Sequence, residues 1–457
     1  MLSLAGPIAL IQFGMVSYGT VDTLLMGRLG PVAIAGVGLA GAVIMLLVLF
    51  GVGLLLGVDT LSSRAFGAGR PEVCARVAFH AMALALCGAL PIFLLLGAAE
   101  PAFRLAGVAP DVASTAVSYL RVYRWSVFAS LLFAASRQYL QSMNITRPQL
   151  AAVVAGNAVN IGLGVCLVFG KLGLPALGVQ GIAWATLVSV WLMCAVCGWA
   201  VLKEFRAAGF RFHGWHWMLF VELLRIGLPA GTQMLIEMGV FSLVTVLAGR
   251  LGAVPLAAHQ ITLNLASITF MVPLGVSLAA AVRVGQGIGR NDPSGAVRSG
   301  TTALALGAGF MALAGLLFLA LPGLWIGLYT RDAAVGSLGA TLLAIAAVFQ
   351  VCDGMQVSLT GALRGLGETR LPMLANLVGH WGVGLPIGMV LGFKLGWGVR
   401  GLWVGLCAGL ITVALSLLLV WRRAAARLLD RGRQKAAGAQ PAGNMASSPS
   451  DDGSSPR

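Results

Sequence analysis

Charge is what this sequence has least of. Only 10% of its 457 residues are Asp, Glu, Lys or Arg, and only 15 of them are acidic. A soluble chain carries about a quarter charged residues because its surface must be solvated. The scarcity here excludes an ordinary globular enzyme and leaves lipid as the main solvent. Cysteine is also thin, with seven residues scattered mostly through apolar stretches, which excludes a disulfide framework. Cys194 and Cys197 have CxxC spacing but neither a second pair nor a nearby histidine, so they read as small packing residues. No basic segment precedes the first apolar stretch, and no cleavable leader is expected. Clustered carboxylates such as a DxxxD run, which an integral-membrane enzyme would use for a divalent metal, are missing as well.

What the chain has in abundance is apolar length. Hydrophobic residues make up 58% of it and the mean hydropathy is +0.92. A helix crossing a bilayer needs about 20 apolar residues. Twelve such stretches occur: 5–26, 33–57, 77–98, 117–142, 149–170, 177–202, 219–248, 255–281, 299–322, 336–362, 371–393 and 401–421. The fold class expected is therefore an all-α polytopic membrane protein. Its net charge of +15 is read by location and not as a nucleic-acid footprint. With the N-terminus inside, the 30 Lys and Arg divide 21 to 9 in favour of the cytoplasmic side, so both termini are expected in the cytoplasm of a bacterial inner-membrane protein. The tail from 423 to 457 is basic, then polar, and is expected to be disordered.

The chain repeats itself once. Pro7 recurs as Pro229, Gly27-Arg28-Leu29-Gly30 as Gly249-Arg250-Leu251-Gly252, Gly67-Ala68-Gly69-Arg70 as Gly287-Ile288-Gly289-Arg290, and Thr146-Arg147 as Thr369-Arg370. The first of these offsets is 229 − 7 = 222 and the last 369 − 146 = 223. Six spans per copy is an even number, so the two copies insert in the same orientation as parallel repeats. The domains expected are an N-lobe of 1–202, a linker of 203–218, a C-lobe of 219–422 and the tail. In the linker, His213, Trp215, His216 and Trp217 read as an interfacial anchor in preference to an HxxH metal site.

Three carboxylates fall well inside spans: Asp22 in the first, Glu237 in the seventh and Asp353 in the tenth. Each costs about 2.5–3.5 kcal/mol at membrane depth even on lenient scales, and such residues mark ion or substrate pathways. Polar neighbours share their faces at helical spacing: Gln233 with Glu237, Gln350 and Gln356 with Asp353, Gln260 with Asn264 in the eighth span, and Asn157 with Asn160 in the fifth. Tyr18, Thr20 and Thr23 surround Asp22. Phe241, Met234 and Met238 lie beside Glu237 and suit a tolerant binding surface. Helix-packing glue is the alternative reading of the amides. Asp59, near the end of the second span, is expected to reach water. Pro7 and Pro229 each remove one backbone hydrogen bond and are expected to bend their helices.

Val21-Asp22-Thr23 ahead of Met26 to Gly30, Gln233 to Glu237, Ala257-Ala258-His259-Gln260, and Asp353 to Gln356 ahead of Gly361 to Gly365 together resemble the multidrug and toxic-compound extrusion (MATE) family, in its NorM-like bacterial branch. The resemblance covers residues 5 to about 425, although the six residues before Pro7 make a shorter lead than is usual there. It implies a V-shaped pair of six-helix lobes that exports cationic, amphipathic compounds in antiport with Na+ or H+. Glu237 and Asp353 would form the C-lobe cation site, open to Na+, and Asp22 the N-lobe acidic site. No other cofactor and no nucleic acid is implied; membrane lipid and small molecules are the expected partners of a monomer. A lipid-linked glycan flippase shares the fold but tends to line its cavity with basic residues, whereas the embedded set here is acidic. The loop after the second span also lacks the acidic-basic signature of a major-facilitator symporter.

Overall fold

The computed structural model describes residues 1–209 and 214–438. Arg211, His213 and the chain after Gly438 lie outside the described residues, as do the side chains of Tyr18, Thr20 and Thr23. Among the described residues every regular element is helical. Lipid imposes this, since a backbone N–H or C=O that cannot find water must pair within its own segment.

Twelve spans follow in chain order: α1 Leu2–Gly27, α2 Pro31–Gly67, α3 Pro71–Gly97, α4 from Pro110 to Ser142, α5 Arg147–Phe169, α6 Val179–Ala207, α7 Trp217–Arg250, α8 Ala253–Gly289, α9 Pro293–Ala320, α10 Ala333–Gly365, α11 Arg370–Lys394 and α12 Val399–Gly438. Ten are long and apolar enough to cross a membrane. The other two are α1, several of whose side chains lie outside the described residues, and α4, which breaks at Arg124 and Trp125 into Pro110–Tyr123 and Ser126–Ser142. The internal repeat extends to detail. Short helices Ala99–Leu105 and Pro322–Gly327 precede α4 and α10, 322 − 99 = 223 residues apart. Gly30 and Gly252, 252 − 30 = 222 apart, lead into α2 and α8 at φ of 101° and 116°, which a side chain would resist.

α2 and α12 outrun their expected spans the furthest, and α11 departs from regular α-helical geometry. α2 runs to Gly67 because its polar end, Asp59 through Ser63, is buried and so does not have to leave the protein. α12 continues to Gly438, correcting the expectation of disorder from 423. Trp421 and Ala425 are buried in a C-lobe cluster and Gly432 lies against Pro293, which gives good helix formers a surface to pack on. In α11, Leu377–Gly384 and Val390–Lys394 widen to π-helix on either side of Pro386. Its glycines at 379, 384 and 388 meet α12 almost backbone to backbone at Gly405 and Gly409.

The two lobes meet through small residues. Gly53 of α2 faces Gly231 of α7, and Gly227 of α7 abuts the Leu54 carbonyl; a methyl group added at either glycine would strike backbone. Leu4, Ala5 and Ile8 of α1 share a core with Val276, Ala279 and Ala280 of α8. Thr60 Oγ1 donates to the Arg364 carbonyl at 2.7 Å, and Gln286 Nε2 to the Ser142 carbonyl at 2.8 Å. All of these contacts lie toward the membrane side that holds Met1 and the linker, and beside them a cavity runs from Met238 of α7 to Arg364, Glu368 and Thr369 at the end of α10.

Candidate functional site

That cavity has about 180 Å³ of free volume, enough for several waters or an ion and below the roughly 300–1,000 Å³ typical of a drug-sized ligand site. α7 contributes Gln233, Met234, Glu237 and Met238, which recur on one face at helical spacing. α8 adds Phe270 and Leu274, α10 adds Gln356, Thr360 and Arg364, and α2 closes the wall with Leu49 and Leu56.

The structure brings the two expected carboxylates of this lobe into one cluster but does not treat them alike. Glu237 lines the cavity. Asp353, only 7% exposed, sits one turn below Gln356 behind the cavity wall and feels the Glu237 charge. Gln356 links Glu237 to α11: its amide reaches the Glu237 carboxylate, and its Nε2 donates to Asn376 Oδ1 at 3.2 Å. Among the described residues ion pairs occur only at Arg76–Glu72 and Arg104–Glu100, so neither of these two carboxylates has a basic partner. An ionised carboxylate in low dielectric requires a positive neighbour. A site of this composition can therefore take up a small cation or a proton.

The remaining expected residues divide. Gln350 is buried and its Nε2 donates to Thr269 Oγ1, tying α10 to α8. Phe241 packs against Phe349 and His380, with ring centroids 6.1 and 6.2 Å apart. Gln260 and Asn264 are on the exposed face of α8 and do not join the cavity; Asn264 Oδ1 accepts from the Tyr329 hydroxyl at 2.8 Å. Their i,i+4 spacing correctly placed them on one face, but that face turns away. Pro229 stands inside the continuous helix α7 between the two glycines that touch α2, and Pro7 stands inside α1.

In the N-lobe, Asp22 Oδ2 accepts from Thr186 Oγ1 of α6 at 3.3 Å, and Asn160 of α5 lies within its reach. Tyr123 of α4 is close enough to sense its charge. Asn157 does not take part. Its amide donates to the Gly14 and Val153 carbonyls at 3.0 and 2.9 Å, so it fastens α5 to α1. The side chain of Tyr18 lies outside the described residues.

Sequence reasoning missed three buried groups. Asp59 does not reach water as expected: it is 0% exposed, between Arg137 of its own lobe and Arg364 of the other, and neither of its oxygens has a hydrogen-bond partner. Its place in the polar run Asp59-Thr60-Leu61-Ser62-Ser63 was the available signal. Arg137 itself donates to Gln12 Oε1 at 2.6 Å. His380 is fully buried with both ring nitrogens unpartnered, and its place near the middle of the expected span 371–393 was the available signal. By contrast His259, the other buried histidine of the C-lobe, is satisfied by Trp403 Nε1 and Thr245 Oγ1.

Comparison with known proteins decides the family. The MatE family profile matches twice, over residues 7–166 and 229–390, each match starting at one of the repeated prolines. The chain belongs to the MATE family. It is 38% identical over 426 residues to a multidrug resistance protein NorM of Burkholderia vietnamiensis, with 92% of each chain covered. It is 35% identical over 435 residues to a probable multidrug resistance protein NorM of Brucella suis, again with 92% of each covered. Among solved structures, the eukaryotic MATE transporter AtDTX14 superposes with a TM-score of 0.83 at 21% identity, covering 94% of this chain and 98% of that one. An outward-facing multidrug resistance MATE transporter reaches 0.86 at 21% identity, covering 94% and 96%. This MATE chain is accordingly a multi-pass transporter and not an enzyme, and the V-shaped pair of lobes anticipated from its motifs is the family's fold.

Proposed function

We propose that this transporter exports cationic, amphipathic compounds from the bacterial cytoplasm across the inner membrane in exchange for H+ or Na+, with Glu237 and Asp353 as the cation-coupling pair and Asp22 as a second acidic station. The observation that carries the reading is the pair of C-lobe carboxylates without a basic partner, one on the cavity and one behind it. Proton, sodium and drug cation can each supply the missing charge, and competition for it couples their movements. The names of the relatives, multidrug resistance proteins, support the cargo class. The carboxylates embedded in the C-lobe argue against a lipid-linked glycan, whose pyrophosphate needs cations.

The arrangement of positive charge in the loops supports a cytoplasmic location for both termini. The lobes then touch at the cytoplasmic end, and this conformation faces outward. The small cavity suits an ion in that state, while cargo binds when the lobes rearrange. Exchange of one proton for one monovalent drug cation moves no net charge, so it is driven by the pH gradient alone, about 1.36 kcal/mol or tenfold per pH unit. Filling both carboxylates would add about 2.3 kcal/mol per 100 mV.

In everted vesicles, an imposed H+ or Na+ gradient should drive ethidium accumulation by the native chain, and the gradient that works identifies the ion. Replacement of Glu237→Gln together with Asp353→Asn should abolish that coupling. Undiminished coupling in this double variant would remove the pair from the mechanism.

A further inference from the structure

A second cavity, of about 580 Å³, opens where α12 leaves the apolar span after Trp421. Its size is within the roughly 300–1,000 Å³ range of small-molecule sites. Arg423, Arg427 and Arg431 line one side of it, and their steps of four place all three guanidinium groups on one helical face. Arg64, from the end of α2, lines the opposite side. The lone carboxylate of the lining is Glu368, and its Oε1 already accepts from the Leu371 backbone N–H at 3.1 Å. The ion pairs of the described residues lie elsewhere: Arg64 feels the charge of Glu222 outside this lining, and the three arginines of α12 have no carboxylate within ion-pair distance. Leu366, Leu371 and Val420 supply an apolar floor. Four positive charges against one negative, above hydrocarbon and at the depth where an apolar span ends, is complementary to a phosphate joined to acyl chains.

We propose that this cavity binds the phosphate headgroup of an anionic membrane lipid, with the arginines on the phosphate and the acyl chains leaving past Leu371 and Val420. Juxtamembrane arginines gain from anionic headgroups, and guanidinium groups pair with phosphate in a fixed fork. The site also spans the molecule's main division. Arg64 belongs to the N-lobe and the other three arginines to the C-lobe, so a bound headgroup fastens the lobes together where they already touch.

The test uses the full chain purified in a neutral detergent, titrated with phosphatidylglycerol, phosphatidylcholine or inorganic phosphate while the thermal unfolding midpoint is followed. Phosphatidylglycerol should raise the midpoint saturably, and the other two should leave it unchanged. The triple variant Arg423→Gln, Arg427→Gln, Arg431→Gln should bind phosphatidylglycerol roughly a hundredfold more weakly, each charge at an anionic surface being worth about a factor of five. The corresponding triple Lys variant, which keeps the charge, should stay within about tenfold of the native chain. An unchanged midpoint without lipid shows that the variants are folded. Native-like affinity in the triple Gln variant, or an equal effect of phosphatidylcholine, overturns the proposal. An equal effect of inorganic phosphate overturns the lipid as the source and leaves a free-anion site.

Discussion

The two lobes share a scaffold but not a chemistry. At the repeat offset of 222, Glu237 corresponds to 237 − 222 = 15, which is Met15, and at the offset of 223 that holds on both sides of Asp353 that residue corresponds to 353 − 223 = 130, which is Ser130. Conversely Asp22 corresponds to 22 + 222 = 244, the buried Val244. The same contrast holds in the fifth helix of each lobe, where His380 corresponds at 223 to Asn157. Asn157 donates to the backbone of α1 at Gly14 and of its own helix at Val153, whereas His380 has no partner on either ring nitrogen. Duplication thus preserved what packing requires, such as the prolines, the linking glycines and the spacing of spans. The polar groups were set in each copy separately, giving a two-carboxylate centre in one lobe and an Asp-Asn-Thr centre in the other.

The sharpest way to break this comparison is to neutralise each centre in turn. Glu237→Gln with Asp353→Asn should reduce gradient-driven efflux in everted vesicles at least a hundredfold, while Asp22→Asn should reduce it less than tenfold. Equal losses would mean that the lobes act as one site.

A smaller effect is expected where the lobes touch. Gly227→Ala must displace the backbone carbonyl of Leu54 and should cost about 1–3 kcal/mol of stability by overpacking. Gly6→Ala meets nothing within 4 Å and should be neutral or stabilise by up to about 1 kcal/mol. Unfolding midpoints of the two variants in detergent should therefore shift in opposite directions or differ clearly in size.

The paired positions in the fifth helices sharpen the contrast further. Asn157→Ala removes two hydrogen bonds and should cost about 1–2 kcal/mol, whereas His380→Phe exchanges an unpartnered ring for an apolar one and should change stability by less than about 1 kcal/mol. A large loss from His380→Phe in the same unfolding assay would reveal a partner for that ring.

The smallest expected effect lies outside the membrane. Asp292 caps α9, its Oδ1 accepting from Gly295 N at 2.8 Å and from Ser294 Oγ at 2.8 Å. These bonds, the backbone one foremost, favour the charged form and hold the carboxyl below its ordinary value of 3.8. A depressed folded-state value contributes stability above 3.8 that is lost as pH falls through the lower folded value. Asp292→Ala should accordingly cost about 1 kcal/mol at neutral pH, and the difference from the native chain should shrink once the pH drops below 3.8.

Much of the molecule was legible before any coordinates. Twelve apolar stretches and a repeat at a nearly constant offset specify two six-helix lobes, because lipid allows few alternatives for a backbone that must satisfy itself. Glu237, Asp353 and Asp22 stood out in the sequence for a related reason, since a carboxylate at membrane depth is costly. Helix ends were read less well: apolarity marks where lipid ends, whereas α2 and α12 continue for as long as protein surface covers them. The amides were only half legible. Helical spacing puts Gln260 and Asn264 on one face as surely as Gln356 and Asp353, but it does not say which way the face turns.

By itself, then, the amino-acid order determined the solvent, the number of spans, the twofold repeat and which carboxylates stand out. Only the tertiary structure decided that Asp59 is sealed between two arginines, that Glu237 meets the cavity while Asp353 stands behind it, and that Arg64 comes to face three arginines more than 350 residues away in the chain. The reason is physical: transfer into lipid depends on each residue and its near neighbours, whereas the partner of a buried charge depends on which helices are brought side by side.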